Sequence, residues 1–153
     1  MNRRFTHVVR PHSGLVLDCW DRAAQSLSCR CWYTSWDRRW PFGLNITRMS
    51  SRFSVVGQIT ARDLSNIAAK GFRSIVNNRP DGEGAEQPRS DELAAAAAAL
   101  GLNYVHVPVV SGKMTEKDVD DFNRACENLE GPILLFCCSG ARCTTLWKQS
   151  AHT

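Results

Sequence analysis

The hexapeptide Cys137-Cys138-Ser139-Gly140-Ala141-Arg142 follows the apolar run Leu134-Leu135-Phe136 and leads into a stretch of helical character through Leu146 and Trp147. A thiol, small residues, a glycine and an arginine between a buried strand and a helix start are the parts of an anion-binding loop. Successive backbone N–H groups in a tight loop form a concave oxyanion site, and a helix N-terminus adds positive potential. Together they lower a thiol's pKa, so Cys137 would carry a thiolate near neutral pH. Cys138, Ser139, Gly140 and Ala141 supply the candidate substrate-binding backbone, with Gly140 letting it fold around an oxyanion. Arg142 has the donor geometry to grip two oxygens of a phosphate or a sulfur oxyanion. The competing reading is a structural cysteine beside an exposed arginine, since free Cys is commonly a core residue. The strand–loop–helix setting weighs against it.

Such a loop needs a sheet to carry it. From Leu44 onward the sequence alternates between strand-like and helix-like segments. Strand or hairpin character runs from Phe53 to Ile59 with Gly57 as a bend, then again over 72–77, 103–109 and 132–136. Thr60-Ala61-Arg62-Asp63 opens a helix with a hydroxyl cap and an early acid, Leu64, Ile67 and Ala68 give it an apolar stripe, and Gly71 stops it. A second helix is predicted over 91–100, capped by Ser90 and closed by Gly101. A third starts at Thr115-Glu116-Lys117-Asp118 and ends near Leu129. Residues 79–88 form a polar loop. This alternation predicts an α/β fold, a small, mainly parallel sheet flanked by helices. Ligands of such sheets bind beyond the carboxyl ends of the strands, where the Cys137 loop falls.

Composition narrows the function classes. The chain has 153 residues and a net charge of +4. That charge resides in residues 1–43, which hold seven Arg against three acids, while residues 44–153 balance 12 basic against 12 acidic residues. No nucleic-acid surface is expected on the neutral part. No apolar run approaches the roughly 18 residues of a membrane span, and no secretory signal is evident. The seven cysteines therefore read as cytosolic thiols, and a cytoplasmic location is expected. The Cys and His residues lack the spacing of a metal site, so neither a metal nor an organic cofactor is implied. Residues 1–43 contain four of the five Trp and no regular apolar period. A targeting extension, an interaction arm and residues added by too early a start are the three accounts of that segment. It is expected to lie outside the catalytic fold, which is assigned to 44–153.

From about Leu44 to Ser150 the chain resembles the phosphatase-like domain of beta-lactamase hydrolase-like proteins, relatives of dual-specificity and protein tyrosine phosphatases. The resemblance lies in Phe53-Ser54-Val55-Val56-Gly57-Gln58-Ile59, in Gly71-Phe72-Arg73-Ser74-Ile75-Val76-Asn77-Asn78-Arg79-Pro80-Asp81-Gly82-Glu83, in Tyr104-Val105-His106-Val107-Pro108-Val109, and in Ser139-Gly140-Ala141-Arg142 with Leu146-Trp147. It implies a cysteine-phosphatase-like architecture, Cys137 as nucleophile and Arg142 as phosphate clamp. Two positions depart from the pattern. Cys138 stands where the family usually has Arg, and Phe136 where phosphatases usually have His. Both changes are expected to weaken thiolate stabilisation.

A cysteine phosphatase also needs an acid for the leaving oxygen. Asp81 is the candidate, against a plain turn role for Pro80-Asp81-Gly82. Arg79 is either a second anion-binding group or the partner of a loop-fixing ion pair, and His106 is expected to be structural. Cys143 and Cys138 are candidate disulfide partners of Cys137 under oxidation, with Cys143 the less strained choice. The expected activity is hydrolysis of a phosphoester, on a phosphorylated small molecule or a phosphoprotein. Four residues separate Cys137 from Arg142, a spacing similar to that of rhodanese-type sulfurtransferases. The alternative is therefore sulfur transfer from a sulfane-sulfur donor through a Cys137 persulfide. A non-catalytic anion-binding or redox-sensing module is the third reading.

Overall fold

The computed structural model describes residues 44–151; the expectations for residues 1–43 and for the last two residues fall outside the described residues. The elements in chain order are strands β1 (Thr47–Arg48) and β2 (Phe53–Val56), a 3-10 turn (Ala61–Asp63) running into helix α1 (Leu64–Ala69), strand β3 (Ser74–Asn77), helix α2 (Ser90–Ala99), strand β4 (Asn103–His106), helix α3 (Glu116–Glu127), strand β5 (Ile133–Phe136) and helix α4 (Ala141–Gln149). They form one α/β body around a sheet ordered β1-β2-β5-β3-β4. Only the β1–β2 pair is antiparallel; β2–β5, β5–β3 and β3–β4 are parallel.

The apolar alternation of β5 fixes which helix covers which face. Ile133, Leu135 and Cys137 point to one side with Phe53, Val55 and Val76, where Phe122 and Cys126 of α3 and Cys143 and Leu146 of α4 pack. Leu134 and Phe136 point to the other with Val56 and Ile75, covered by Leu64 and Ile67 of α1 and Leu93 and Ala97 of α2. Both faces of β5 are fully buried, as a central parallel strand requires. Phe136, unexposed in that core, fills volume where a polar residue would need a partner.

Register brings the loops together. Phe136 lies opposite Val56 on one side and Asn77 on the other, and Asn77 lies opposite His106. Four parallel strands thus end level, and the segments after Val56, Asn77, His106 and Phe136 gather at one edge.

The structure corrects several element boundaries. Strand β2 stops at Val56 rather than Ile59, because Gln58 turns its N–H onto the Cys138 carbonyl, at 3.0 Å. Strand β4 stops at His106, since Pro108 has no N–H to continue the ladder; Val107 and Val109 still donate to Asn77 and Asn78 carbonyls at 2.8 and 3.2 Å. Ser90 is the first residue of α2 and not its cap: its N–H is taken by Asp81 Oδ1 at 3.0 Å. The Thr115 capping box is formed as expected, with Asp118 Oδ2 accepting from the Thr115 N–H at 2.8 Å. The two-residue β1 gave no periodic signal in the sequence.

With both sheet faces covered by helices of this same stretch, a chain beginning at Leu44 is expected to unfold in one cooperative transition, at a midpoint close to that of the full chain. Calorimetry of the two chains checks this. A large drop in the midpoint on shortening would place residues 1–43 in the core.

Candidate active site

At the end of β5 the backbone leaves the sheet and curls into α4. Gly140, the residue before the helix, has φ +90°, and a Cβ there would lie 3.4 Å from both Val55 Cγ2 and the Val56 carbonyl oxygen. Conformation and space both call for glycine at this point. The curl aims the Gly140 N–H at Cys137 Sγ, 3.1 Å away. On the opposite side, Gly57 approaches so closely that a Cβ would stand 3.3 Å from the Cys138 carbonyl oxygen.

The electrostatics of the loop follow from this curl. The Cys137 thiol is lowered to about 5, first by a hydrogen bond from Cys143 and then by the amides of Cys143, Gly140 and Ser139, which together overcome the opposing effect of burial. Cys143 is pushed the other way, well above an ordinary thiol, by burial and by its negatively charged neighbour. At neutral pH the pair is therefore one thiolate beside one thiol. Asn78 Oδ1 competes for the Cys143 S–H at 3.3 Å, and Asn78 Nδ2 is fixed by donating to the Val107 carbonyl at 3.2 Å. A single S–H cannot serve both acceptors at once. The groups that lower the Cys137 thiol in this loop are Cys143 and the amides.

Arg142 is held from three directions. Its Nη1 donates to the carbonyls of Asn78 at 3.2 Å and Val109 at 2.8 Å, and its Nη2 to Glu83 Oε1 at 2.7 Å. Its Nε is buried without a partner among the described residues. Arg79 joins the same carboxylate, donating from Nε to Glu83 Oε2 at 2.7 Å and from Nη1 to Gln58 Oε1 at 2.7 Å. It belongs to an ion pair with Glu83 and borders the loop through that carboxylate.

The remaining candidates fall around this centre. Cys138, Ser139 and Ala141 are exposed on the loop. His106 Nε2 lies 2.8 Å from the Arg79 carbonyl oxygen, which pins the start of the 79–89 segment to β4. Asp81 sits in that segment with Oδ1 on the Ser90 amide. Ser90 Oγ in turn meets the Tyr104 hydroxyl at 3.1 Å, which accepts from Asn77 Nδ2 at 2.9 Å. Asp81 is thereby anchored to α2 and the sheet, and no hydrogen bond joins it to Cys137 or Arg142. Among the described residues, no group of three His, Cys, Asp or Glu is placed to hold a metal ion, and no helix is long and apolar enough to cross a membrane.

Sequence comparison gives the same assignment as the geometry. Residues 45–153 match the family model described as beta-lactamase hydrolase-like protein, phosphatase-like domain. The chain belongs to this family. A beta-lactamase hydrolase-like protein of Xylella fastidiosa (strain Temecula1) is 40% identical over 107 residues, which are 70% of this chain and 25% of that protein. One of Agrobacterium fabrum is 36% identical over 104 residues, 68% of this chain and 24% of that protein. The chain thus spans about a quarter of the length of these relatives. Among solved structures, a candidate phosphatase of Neisseria meningitidis shares 30% identity at a TM-score of 0.63, covering 67% of this chain and 72% of that one. The catalytic core of the PP-IP phosphatase SIW14 of S. cerevisiae has the same fold, with a TM-score of 0.54 at 15% identity over 66% of this chain and 60% of that one. The phosphatase-like family and architecture read from the residues are those of the folded chain.

Sequence reasoning missed three contributors: Gln58, Asn78 and Glu83. All lie within the stretches that carry the family resemblance, and Glu83 stands four residues after Arg79. Asn78 and Glu83 pair with Arg142 and Gln58 with Arg79, contacts that are long-range and left no local signal.

Alkylation by iodoacetamide tests the thiolate. At about pH 6 Cys137 is expected to react well ahead of Cys126, whose thiol burial pushes up to about 12. The sign follows from the lowered pKa: above about 5 the Cys137 rate is already flat, whereas an ordinary thiol still gains with each rise in pH. Cys143→Ala removes the S–H that lowers the Cys137 thiol, so the inflection should move upward. An inflection unchanged in this variant would show that the amides alone hold the thiolate.

Proposed function

We propose that this domain is a cysteine-dependent phosphatase acting on phosphoesters through a phosphocysteine at Cys137. The observation that carries this reading is the Cys137 sulfur at the strand end, with the Gly140 N–H 3.1 Å from it and Arg142 bordering the same loop.

In this mechanism the substrate's phosphoryl oxygens lie against the amides of residues 138–142 and the free donors of Arg142. Cys137 Sγ attacks phosphorus, the bond to the ester oxygen breaks, and the departing oxygen takes a proton. Charge growing on the equatorial oxygens is met by donors already in place, the arrangement that contributes most to such reactions. Water then attacks the phosphocysteine, releasing phosphate and restoring the thiolate. Asp81 is the proposed source of the leaving-group proton. Its Oδ1 accepts the Ser90 amide, so the proton would sit on Oδ2. The substrate is a phosphorylated small molecule or a phosphoprotein, and the expected location is the cytoplasm.

The short loop favours a second reading. With four residues between Cys137 and Arg142, a tighter cup suits a persulfide. Cys137 would take the sulfane sulfur of thiosulfate, releasing sulfite, and pass it to cyanide as thiocyanate.

Assaying the purified protein in parallel with an aryl phosphate and with thiosulfate plus cyanide separates the two readings. Phosphate release lost in Cys137→Ser supports the first; thiocyanate formation without phosphate release overturns it. Asp81→Asn is expected to slow an alkyl phosphate by roughly two orders of magnitude and an activated aryl phosphate much less. Small, equal effects on both substrates would leave Asp81 as an anchor of α2.

A further inference from the structure

We propose that Glu83 is the positioning residue of this anion site: its single carboxylate holds Arg142 and Arg79 so that the free N–H groups of Arg142 form the fork that receives a substrate oxyanion. The proposal deepens the phosphatase reading and rests on it.

A count of donors leads to it. A guanidinium carries five N–H groups. Two of those on Arg142 go to the carbonyls of Asn78 and Val109, and one goes to Glu83. One remains on Nε and one on Nη2, neighbouring nitrogens suited to a bidentate grip on two oxygens. The Nε group is buried and unpartnered among the described residues, a state that proteins seldom tolerate without a ligand or water to fill it. Without Glu83, Nη2 would have no fixed partner and the fork no fixed plane.

Glu83 is built for two arginines at once. Each of its oxygens accepts from one of them, both at 2.7 Å. The side chains of Arg142 and Arg79 are 8% and 11% exposed and that of Glu83 is 27% exposed, so solvent screens these pairs less than it would on an open surface. Burial raises the Glu83 carboxyl, but hydrogen bonds from Arg79 and Arg142 outweigh it and hold the group below the ordinary carboxylate range. It is therefore a charged acceptor at neutral pH, in contrast to the protonated acid that a leaving group needs. From Arg79 the contacts continue to Gln58 Oε1, and the Gln58 N–H returns to the anion loop at Cys138. One carboxylate thus ties together the segments following β2, β3 and β5.

The opposite effect is also physical: a carboxylate beside two arginines repels an incoming anion, and its removal would tighten binding. Glu83→Gln decides between the two. Glutamine has one acceptor oxygen, so it can serve one arginine and must turn an NH2 toward the other. The readout is protection of Cys137 from iodoacetamide by inorganic phosphate in the full chain, together with KM and kcat for an aryl phosphate. E83Q is expected to need about tenfold more phosphate for half-protection, with KM raised by a similar factor and kcat changed less. Glu86→Gln, the same change of charge on an exposed neighbour in the segment, should stay within about twofold. E83D, too short to reach both arginines, should fall between E83Q and the wild type, and it carries the test if E83Q does not fold. Half-protection of E83Q at the same or a lower phosphate concentration would overturn the positioning role while leaving the anion site intact. Failure of phosphate to protect the wild type would overturn the anion-site reading itself, and this proposal with it.

Discussion

A thiolate at the buried end of a central strand is the constraint from which the rest of the site follows. Moving a charge out of water costs several kcal/mol unless donors replace the lost hydration. Cys137 is 1% exposed, yet its thiol lies near 5. The donors that make this possible come from the loop amides, the start of α4 and the Cys143 thiol. Each depends on the backbone passing through a left-handed conformation at Gly140, directly against Val55 and Val56. A side chain at that position would push the Gly140 N–H away from the sulfur.

The sheet supplies the second requirement, which is that residues distant in sequence meet at one edge. Because Val56, Phe136, Asn77 and His106 end level in the parallel register, Gln58, Arg79, Glu83 and Arg142 form one chain of contacts. A slip of one residue in β5 would exchange its two buried faces. Cys137 would then turn from the α3–α4 side toward α1, and Arg142 would lose the carbonyls of Asn78 and Val109. Fold stability and site geometry are therefore set by the same alternation of Ile133, Leu134, Leu135 and Phe136.

The legible parts of this design were those written locally. The apolar run before Cys137, the glycine within the loop and the Thr115 capping box each occupy a few consecutive residues, and each predicted its element. Strand ends were read too far along, at Ile59 and Val109, because apolar residues continue past the point where the ladder stops. There the chain is diverted by bonds to a distant loop, such as Gln58 to Cys138. Ser90 resembled a helix cap by type, but the carboxylate of Asp81, nine residues earlier, takes the amide instead. Glu83 was invisible as a site residue, since its meaning comes from Arg142, 59 residues away. Cys143 was read as an oxidation partner, and its bond to the thiolate emerged only in the folded loop.

The central claim is that Cys137 forms a covalent bond to phosphorus during turnover. Mixing the protein with an aryl phosphate, quenching rapidly and fragmenting the peptide that spans β5 and α4 tests it without intermediaries. A phosphoryl group located on Cys137, appearing before steady state and absent from Cys137→Ser, is the predicted result. Phosphate release with no phosphoryl group on Cys137, or with the group on another residue, would contradict it.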